Sequence, residues 1–426
     1  MALKSIEIPY HTGTMPFHVE ESNLEAVITP LAPESSGKSE RELVRNALEN
    51  PIDSLPLREL AAGKKKILLI TSDHTRAMPS KITLPLLLEE IRLGAPCAQI
   101  DIIIATGSHR ATTVEEQRTM FGDEIVDNES IHVHDCTRNE DMREVCALPS
   151  GAVFRVNRMA VECDLLLAEG FIEPHFLAGF SGGRKSVLPG IASIGTVSAN
   201  HSYKTLSSPY AASGVLDKNP AHLDMVAAAR AVNLAFILNV ALEADKKIIA
   251  AFAGNMETAH HAGCEFVSSY SMRHAARGDI VVTGNGGYPL DQNLYQTSKA
   301  ASTAALCAGE DGTIILMSGC ADGFGGEYFQ ELMLSGTVEE IDERLSRIPP
   351  EETIPEQWGV QIFLRVMKKH RVILVTSGID HELVRKANFI PAATADEALR
   401  IAYSFEGNDS RVVVIPDGVA VVIDGF

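Results

Sequence analysis

Short apolar runs recur along the chain, and most of them are followed by a loop rich in glycine or proline and then by apolar residues at helical spacing. A short apolar run between turn-forming residues predicts a buried strand, and apolar residues three and four apart predict a helix. Strands that alternate with helices indicate an α/β fold with largely parallel sheets. The predicted strands are 65–71, 99–106, 164–168, 235–242, 279–283, 313–317 and 372–376. The predicted helices are 41–48, 81–93, a helix that begins near Thr113, 221–231 and 258–269.

The two ends of the chain carry a different pattern. Residues 6–9 and 25–28 predict two short strands of a peripheral hairpin. Near the carboxyl end, Asp417-Gly418 lies between the apolar stretches 412–415 and 419–423, which is a hairpin signature.

A chain of 426 residues is long enough for two or three domains of roughly 100–200 residues each. The stretch 270–278 is the best candidate seam, because it follows the last predicted helix of the first half. We therefore expect two α/β domains, 1–272 and 273–405, with residues 406–426 as a candidate return to the first. We expect the active site in the cleft between them, since ligand sites often lie between domains.

Composition narrows the classes of function. Apolar residues make up 45% of the chain and charged residues 22%, so a large folded core is expected. With 37 basic against 56 acidic residues, the net charge of −19 argues against nucleic-acid and anionic-membrane partners. The seven cysteines include no C-x-x-C pair, which favours free thiols in a reducing compartment. No signal peptide or bilayer-length apolar run is visible, so we expect a soluble, cytoplasmic protein.

Polar residues collect directly after the predicted strands. In open parallel sheets, ligands bind outside the carboxyl ends of the strands. Four of these ends carry histidine, arginine or lysine within a few residues, although the chain is acidic overall. This pattern predicts an anion site in a crevice. The candidate segments are Ser72-Asp73-His74-Thr75-Arg76, Gly107-Ser108-His109-Arg110, the stretch with His175, Lys185 and His201, and the helix with Tyr295, Gln296 and Lys299.

Each candidate also has a purely structural interpretation. The Asp73–Arg76 turn could cap the next helix, and His175 could be a core histidine bonded to backbone. Gln296 and Lys299 lie three apart on one helix face, where they could hold a carboxylate or simply face solvent. The single tryptophan, Trp358, could close over a small ligand or only pack. The pair at positions 260 and 261 predicts a structural role, because no second ligand lies at four-residue spacing.

The segment 179–186 almost fits the phosphate-binding loop G-x-x-x-x-G-K-[ST]. Arg184 replaces the glycine before the lysine, and this side chain would obstruct the wrap of backbone amides around the phosphates of a nucleotide. An ATP-hydrolysing function is therefore disfavoured. A lysine held in such a loop could instead bind a phosphate or serve as a covalent attachment point.

Taken in chain order, the motifs resemble the nickel-pincer lactate racemase family, and the match in order and spacing covers essentially the whole chain. The long glycine-lysine-proline motif is the most specific. The motifs are Asp73-His74-Thr75-Arg76, Gly107-Ser108-His109-Arg110, Glu173-Pro174-His175, Ser181-Gly182-Gly183-Arg184-Lys185-Ser186-Val187-Leu188-Pro189-Gly190, Asn200-His201 and Tyr295-Gln296-x-x-Lys299.

The resemblance implies a cofactor, the nickel-pincer nucleotide (Ni(II) pyridinium-3,5-bisthiocarboxylic acid mononucleotide). It implies that Lys185 carries this group through a thioamide and that His201 is the fourth nickel ligand. Soft donors with one imidazole suit a square-planar nickel ion, so no cysteine or carboxylate cluster is needed. The cofactor-binding turn that the resemblance implies consists of Asp73, His74, Thr75 and Arg76.

The resemblance also implies the catalytic and substrate-binding residues. His109 and His175 would act as alternate proton acceptor and donor, which suits the usual pKa range of histidine. The residues expected to bind the substrate are Arg76, Tyr295, Gln296, Lys299 and Trp358.

The implied activity is that of an isomerase, a lactate racemase that interconverts D- and L-lactate by hydride transfer to and from the cofactor, through pyruvate. The implied partners are a small 2-hydroxyacid substrate and the proteins that make the cofactor. Two alternatives stay open: a racemase or epimerase of another 2-hydroxyacid, such as malate or a sugar acid, and a non-catalytic two-domain protein that binds anions.

Overall fold

The computed structural model describes residues 2–33, 36–243 and 245–424, which form an α/β fold with two largely parallel sheets. The strands of these residues are β1 Leu3–Tyr10, β2 Gly13–Glu20, β3 Leu24–Val27, β4 Lys66–Ser72, β5 Gln99–Ala105, β6 Ser130–Val133, β7 Met142–Ala147, β8 Val153–Asn157, β9 Leu165–Phe171, β10 Pro174–His175, β11 Gly179–Phe180, β12 Leu234–Leu242, β13 Ile248–Gly254, β14 Met272–His274, β15 Gly278–Gly284, β16 Ala308–Met317, β17 Arg371–Val375, β18 Ile390–Ala392, β19 Val412–Ile415 and β20 Val422–Asp424. The α-helices are α1 Glu40–Glu49, α2 Leu57–Ala61, α3 Ser80–Gly94, α4 Val114–Phe121, α5 Asp123–Asn128, α6 Met159–Glu162, α7 Ile194–Asn200, α8 Tyr203–Leu206, α9 Pro220–Ala231, α10 Thr258–Ser271, α11 Leu294–Ala305, α12 Glu327–Met333, α13 Val338–Ser346, α14 Gln357–Met367, α15 His381–Lys386 and α16 Ala395–Glu406.

The chain divides into two compact units, and each contains one six-stranded sheet. The expected domain limits, 1–272 and 273–405, stay a prediction. Unit 1 comprises Met1–Leu31, Ser202–Ser207 and Ser271–Phe426, and unit 2 comprises Ala32–His201 and Ser208–Tyr270.

The sheet of unit 2 has the strand order β13-β12-β9-β4-β5-β6, in which only the edge strand β13 runs antiparallel. From β4 the chain continues to β5 and β6 on one side of β4, and it later enters β9 and β12 on the other side. The order of the strands in the sheet therefore reverses between β4 and β9. At such a reversal, the loops after the two strands part and leave a crevice at their carboxyl ends.

The apolar runs form the buried strands of unit 2 as predicted. Leu69 and Ile102 are fully buried in β4 and β5, and both faces of these two strands are buried, which leaves no polar side. The predicted start of a helix near Thr113 is confirmed. The Thr113 side chain accepts from the Glu116 backbone amide and Glu116 bonds back, which satisfies two amides that the helix itself cannot pair.

The sheet of unit 1 has the order β18-β17-β16-β15-β19-β3, and all of its strands are parallel. The connections reverse between β15 and β19. The helix after β15 is α11, which carries three of the predicted site residues.

The predicted pairing of 6–9 with 25–28 is wrong. Strand β1 pairs with β2 through a two-residue turn at His11 and Thr12, and β3 joins the parallel sheet beside β19. The alternation of Ile6, Ile8 and Tyr10 opposite Phe17 and Val19 gives this hairpin one buried face. The apolar alternation in 13–20 was the signal for the correct partner.

The predicted hairpin at the carboxyl end is also wrong. Strand β19 pairs with β15 and β3, whereas β20 pairs in parallel with β14. All four residues of β19 are buried, which an inner strand covered on both faces requires and an edge hairpin does not. Among the described residues, no helix combines the length and apolar character needed to span a membrane.

Candidate active site

The turn after β4 holds a buried carboxylate. Asp73 is 1% exposed, and its Oδ1 accepts hydrogen bonds from the Thr75 amide at 3.0 Å and the Thr75 hydroxyl at 2.6 Å. Burial alone would raise the pKa of Asp73, but hydrogen bonds from His109 and Thr75 and the charge of Arg76 outweigh it and lower that pKa. In the same turn, Nδ1 of His74 lies 3.0 Å from the Thr112 hydroxyl.

The loop after β5 places His109 against this carboxylate. The Nδ1 atom of His109 lies 2.6 Å from Oδ2 of Asp73, and 40% of the His109 side chain is exposed. Gly107 has a φ of +55°, and its amide donates to the Gly190 carbonyl at 2.9 Å, which ties this loop to the end of the lysine loop. A carboxylate that holds Nδ1 of a histidine is the arrangement that prepares the other ring nitrogen to accept a proton.

The loop after β9 carries Lys185 in a short 3₁₀ turn, Gly183–Ser186. Gly182 and Gly183 have φ values of +79° and +52°, a region that other residues rarely adopt. A Cβ at Gly182 would lie 2.8 Å from Oδ1 of Asn239, and that same oxygen accepts from the Gly183 amide at 2.8 Å. The glycines are therefore required for the close approach of this loop to β12.

Arg184 does not point towards the space where the loop could hold a phosphate. Its side chain points into the interior and is 1% exposed. Its guanidinium donates to the carbonyl oxygens of Ala178, Ser181 and Gly182 at 2.8–3.2 Å. It also contacts His222 and His260 at 3.0 and 2.8 Å. The backbone carbonyls of the loop thus wrap around the arginine, and the loop is shaped from within.

His201 ends α7 as a buried, neutral imidazole. Its Nδ1 lies 3.0 Å from the Val197 carbonyl, and because a carbonyl only accepts, Nδ1 donates and the ring lone pair is on Nε2. Burial, together with the positive charge of Lys185, lowers the pKa of His201 to about 4. The charge of Lys185 therefore acts on this imidazole.

His175 lies in β10, just beyond the carboxyl end of β9. Its Nδ1 accepts hydrogen bonds from the backbone amides of Leu177 and Ala178, both at 3.2 Å. The ring stacks on Phe176 with 4.7 Å between the ring centres. His175 is thus hydrogen-bonded to the backbone, as its structural interpretation from the sequence suggested.

The remaining predicted residues belong to unit 1. Asn293 caps α11 by accepting from the Gln296 amide at 3.1 Å, which fixes the first turn of the helix that carries Tyr295, Gln296 and Lys299. The indole N–H of Trp358 donates to the Tyr295 hydroxyl, so the two rings hold each other in place.

Comparisons with known proteins identify the family. The model of the lactate racemase N-terminal domain matches residues 10–214, and that of the lactate racemase C-terminal domain matches residues 273–423. A lactate racemase of Thermoanaerobacterium thermosaccharolyticum is 47% identical over 423 residues, which is 99% of this chain and 99% of that protein. The chain belongs to the lactate racemase family, and this family consists of isomerases.

Further relatives agree with this membership. A lactate racemase of Lactiplantibacillus plantarum is 46% identical over 421 residues, 98% of this chain and 99% of that protein. The solved structure of the lactate racemase apoprotein of T. thermosaccharolyticum has a TM-score of 0.95 and 47% identity, and covers 99% of this chain and 100% of that one. A Thermotoga maritima protein with 19% identity and a TM-score of 0.63, covering 93% of this chain and 100% of that one, shares the fold.

Sequence reasoning missed the residues that support those of the family motifs. Asn239 interrupts the longest apolar run of the chain, and its role at Gly183 explains that interruption. Glu169 lies within β9 and accepts hydroxyl hydrogen bonds from Thr71, Ser80 and Thr83, all at 2.6 Å. The available signal for Asn239 was a polar residue inside the predicted buried strand 235–242, and for Glu169 it was a carboxylate directly after the predicted strand 164–168.

Within the described residues, no group of three or more histidine, cysteine, aspartate or glutamate side chains is arranged to hold a metal ion.

Proposed function

We propose that the protein is a lactate racemase that interconverts D- and L-lactate with a lysine-tethered nickel-pincer nucleotide. The observation that carries the proposal is the collection of Asp73, His109, His175 and Lys185 on the loops after β4, β5 and β9, with His201 under the influence of the Lys185 charge. The family membership supports the choice of lactate.

The residues present fit the cofactor. Lys185 supplies the amine for a thioamide on a turn that the two preceding glycines hold open. A metal-binding histidine commonly donates its second N–H to a backbone carbonyl, as His201 does to Val197. When bound, the group would supply the soft metal centre and the site that takes up and returns the hydride of the substrate. The turn from Asp73 to Arg76 would make further contacts to it.

The protein would hold the substrate through its carboxylate. Arg76, Gln296 and Lys299 are the proposed partners, because a guanidinium, an amide and an ammonium together give charge and direction. Tyr295 and Trp358, which bond to each other, would offer a rigid aromatic surface to the methyl group. A second carboxylate, as in malate, would have no additional cation among these residues.

His109 and His175 are the proposed groups that handle the hydroxyl proton. Removal of the hydroxyl proton makes hydride loss from C2 easier, because the electrons of the O–H bond form the carbonyl. Asp73 stabilises the positive charge that His109 acquires with the proton.

The proposal also includes two features outside the site. Proteins that make the cofactor would be needed as partners, because the polypeptide supplies only the amine of Lys185 to which the cofactor is attached. Function in the cytoplasm is likewise proposed, where such partners and lactate would meet.

The test uses protein produced together with cofactor-making enzymes. It compares the racemisation rates of lactate and malate, and it compares substitutions at two lysines. We expect Lys185→Arg to have the mass of the bare chain and no racemase activity, and Lys204→Arg, at an exposed position, to keep both the added mass and the activity. We expect lactate to be racemised at least about 10-fold faster than malate, since an unpaired buried carboxylate costs more than about 1.4 kcal/mol. Faster turnover of malate, or full activity of Lys185→Arg, would contradict the proposal.

A further inference from the structure

Glu169 is a buried carboxyl group that the proposed chemistry does not use. It lies in β9, and three hydroxyl groups share its two oxygens. Oε1 accepts from Thr71 and from Ser80, and Oε2 accepts from Thr83, each at 2.6 Å. All four side chains are buried, and a buried hydroxyl that loses its acceptor costs free energy. The carboxyl group therefore holds these three side chains in place.

The three hydroxyl groups come from the two ends of one loop. Thr71 lies near the end of β4, whereas Ser80 and Thr83 lie in the first turn of α3. Between them, residues 73–79 form the loop that begins with the turn of the candidate site. Glu169, on a third element, therefore ties both ends of this loop to the same point. A loop whose ends are held together has fewer conformations available to it.

The start of α3 depends on this contact. Pro79, the residue before the helix, makes no side-chain hydrogen bond to the first amides of α3, unlike Thr113 before α4. Glu169 instead holds the first turn of the helix through the hydroxyl groups of two of its residues. The position of this helix end, and so of the loop that enters it, is set from the neighbouring strand.

The loop carries Asp73 and Arg76, two residues of the proposed site. Oδ2 of Asp73 lies 2.6 Å from Nδ1 of His109, which belongs to a different loop. The bonds from Thr75 to Asp73 fix the shape of the turn, but they lie within the turn and do not fix its place on the sheet. That place depends on where the ends of the loop are held.

We propose that Glu169 is a positioning residue, which holds the loop 73–79 in place from its two ends. Asp73 is thereby kept beside His109. Arg76 is kept where the carboxylate of the proposed substrate binds. The catalytic consequence rests on the proposed function, in which both histidines keep their roles, whereas the effect on the loop can be measured without it.

Two substitutions of Glu169 test which of its properties matters. Methionine has a similar length but no strong acceptor, so the three hydroxyl groups lose their partner. Glutamine keeps one oxygen for Thr71 and Ser80, and its NH₂ group can donate to the Thr83 oxygen. The Thr83 hydroxyl can then turn to the Pro79 carbonyl, 3.4 Å away. Because burial raises the pKa of Glu169, and hydroxyl groups both donate and accept, the contact does not require a charge.

Glu90→Met is the matched control, because Glu90 is a buried glutamate on the same helix. It lies about 15 Å along α3 from Ser80, at 1.5 Å per residue. Its carboxylate accepts two hydrogen bonds from Arg58, both at 2.8 Å. The control therefore weakens the attachment of α3 at a distance from the loop.

The first test measures hydrogen exchange by mass spectrometry in the full-length protein without cofactor. The amides of Thr75 and Arg76 are hydrogen-bonded within the loop, so their exchange reports its local opening. We expect Glu169→Met to speed exchange in the loop at least about 10-fold, and Glu169→Gln and Glu90→Met to change it less than about 3-fold. Unchanged exchange in Glu169→Met, or no recovery with glutamine, would overturn the proposal.

A second variant keeps the test decisive if Glu169→Met does not fold. The double substitution Ser80→Ala and Thr83→Val removes both bonds to α3 and leaves the bond from Thr71 to the carboxyl group intact. We expect exchange to rise at least about 3-fold in the loop and not in the rest of unit 2. A uniform rise throughout unit 2, or none in the loop, would overturn the proposal.

The second test measures kcat and KM for lactate in the cofactor-loaded enzyme, per loaded chain as counted by intact mass. Small displacements of positioned groups are costly in rate, so we expect Glu169→Met to lower kcat at least about 10-fold and to raise KM at least about 3-fold. Glu169→Gln should restore both to within about 3-fold of the wild type. Glu90→Met should unfold at a lower temperature with unchanged kcat and KM, which separates a loss of stability from a loss of positioning.

The outcomes separate this inference from the proposed function. If the loaded wild-type protein fails to racemise lactate while exchange shows a loosened loop in Glu169→Met, the proposed function is wrong and the structural part of the inference holds. If the wild type racemises lactate and Glu169→Met keeps normal kcat and KM, only the positioning role is wrong.

Discussion

At the scale of single residues, the partner of one ring nitrogen decides what the other can do. His201, His109 and His175 follow from motifs in the sequence, but their partners are a helix carbonyl, a carboxylate from another loop and two backbone amides. The sequence could therefore nominate these three histidines as candidates, and their roles stay a prediction. It could not predict their tautomers, because these depend on atoms that only the fold brings near.

His201 gives a prediction at this scale. Its neutral ring, with the lone pair on Nε2, is ready to bind a metal without first losing a proton. We expect cofactor-loaded His201→Ala to lose most of its nickel in metal analysis, while the fold measured by circular dichroism is kept. His274→Ala, which removes an imidazole that is 96% exposed, should keep one nickel per chain. Full nickel content in His201→Ala would exclude this residue as a ligand.

At the scale of elements, apolar runs predicted the strands better than they predicted strand partners. The runs in β4, β5, β9 and β12 are buried on both faces and are found where expected. The hairpins at both ends were mispredicted, because strand pairing depends on residues far away in the chain. The shape of the lysine loop was equally out of reach, since it depends on Asn239 in β12 and on the buried side chain of Arg184.

The buried arginine gives a prediction for the loop between β9 and α7. Arg184→Met would leave the Ala178 carbonyl oxygen and Nδ1 of His222 without their donor, and it would remove the arginine's bonds to the Ser181 and Gly182 carbonyls. Because each unsatisfied buried acceptor costs about 1–3 kcal/mol, we expect unfolding in urea to show a loss of at least about 3 kcal/mol.

Arg155→Met is the matched control, because Arg155 pairs with Glu144 at the surface with 52% of its side chain exposed. Such pairs contribute about 0–1 kcal/mol, so its stability should stay close to that of the wild type. If the two variants unfold at the same urea concentration, the arginine does not shape the loop as described.

At the scale of the whole molecule, the order of the motifs identified the family over the full chain, and two family models and full-length relatives confirm it. Fold class followed from the alternation of strands and helices. The assignment of segments to the two units could not be predicted from the sequence. Residues 202–207 belong to unit 1, although the segments on either side belong to unit 2. Nothing in the local sequence of that segment marks where it packs.

The central claim is that this chain, once loaded at Lys185, inverts the configuration of lactate. The most direct measurement follows the ratio of D- to L-lactate by chiral chromatography, starting from each pure enantiomer, with loaded protein and with the bare chain. Enantiomers have equal free energies, so the account predicts that loaded protein brings both reactions to a ratio of 1, while the bare chain changes neither. If intact mass shows the added group on Lys185 and either enantiomer remains pure, the account is contradicted.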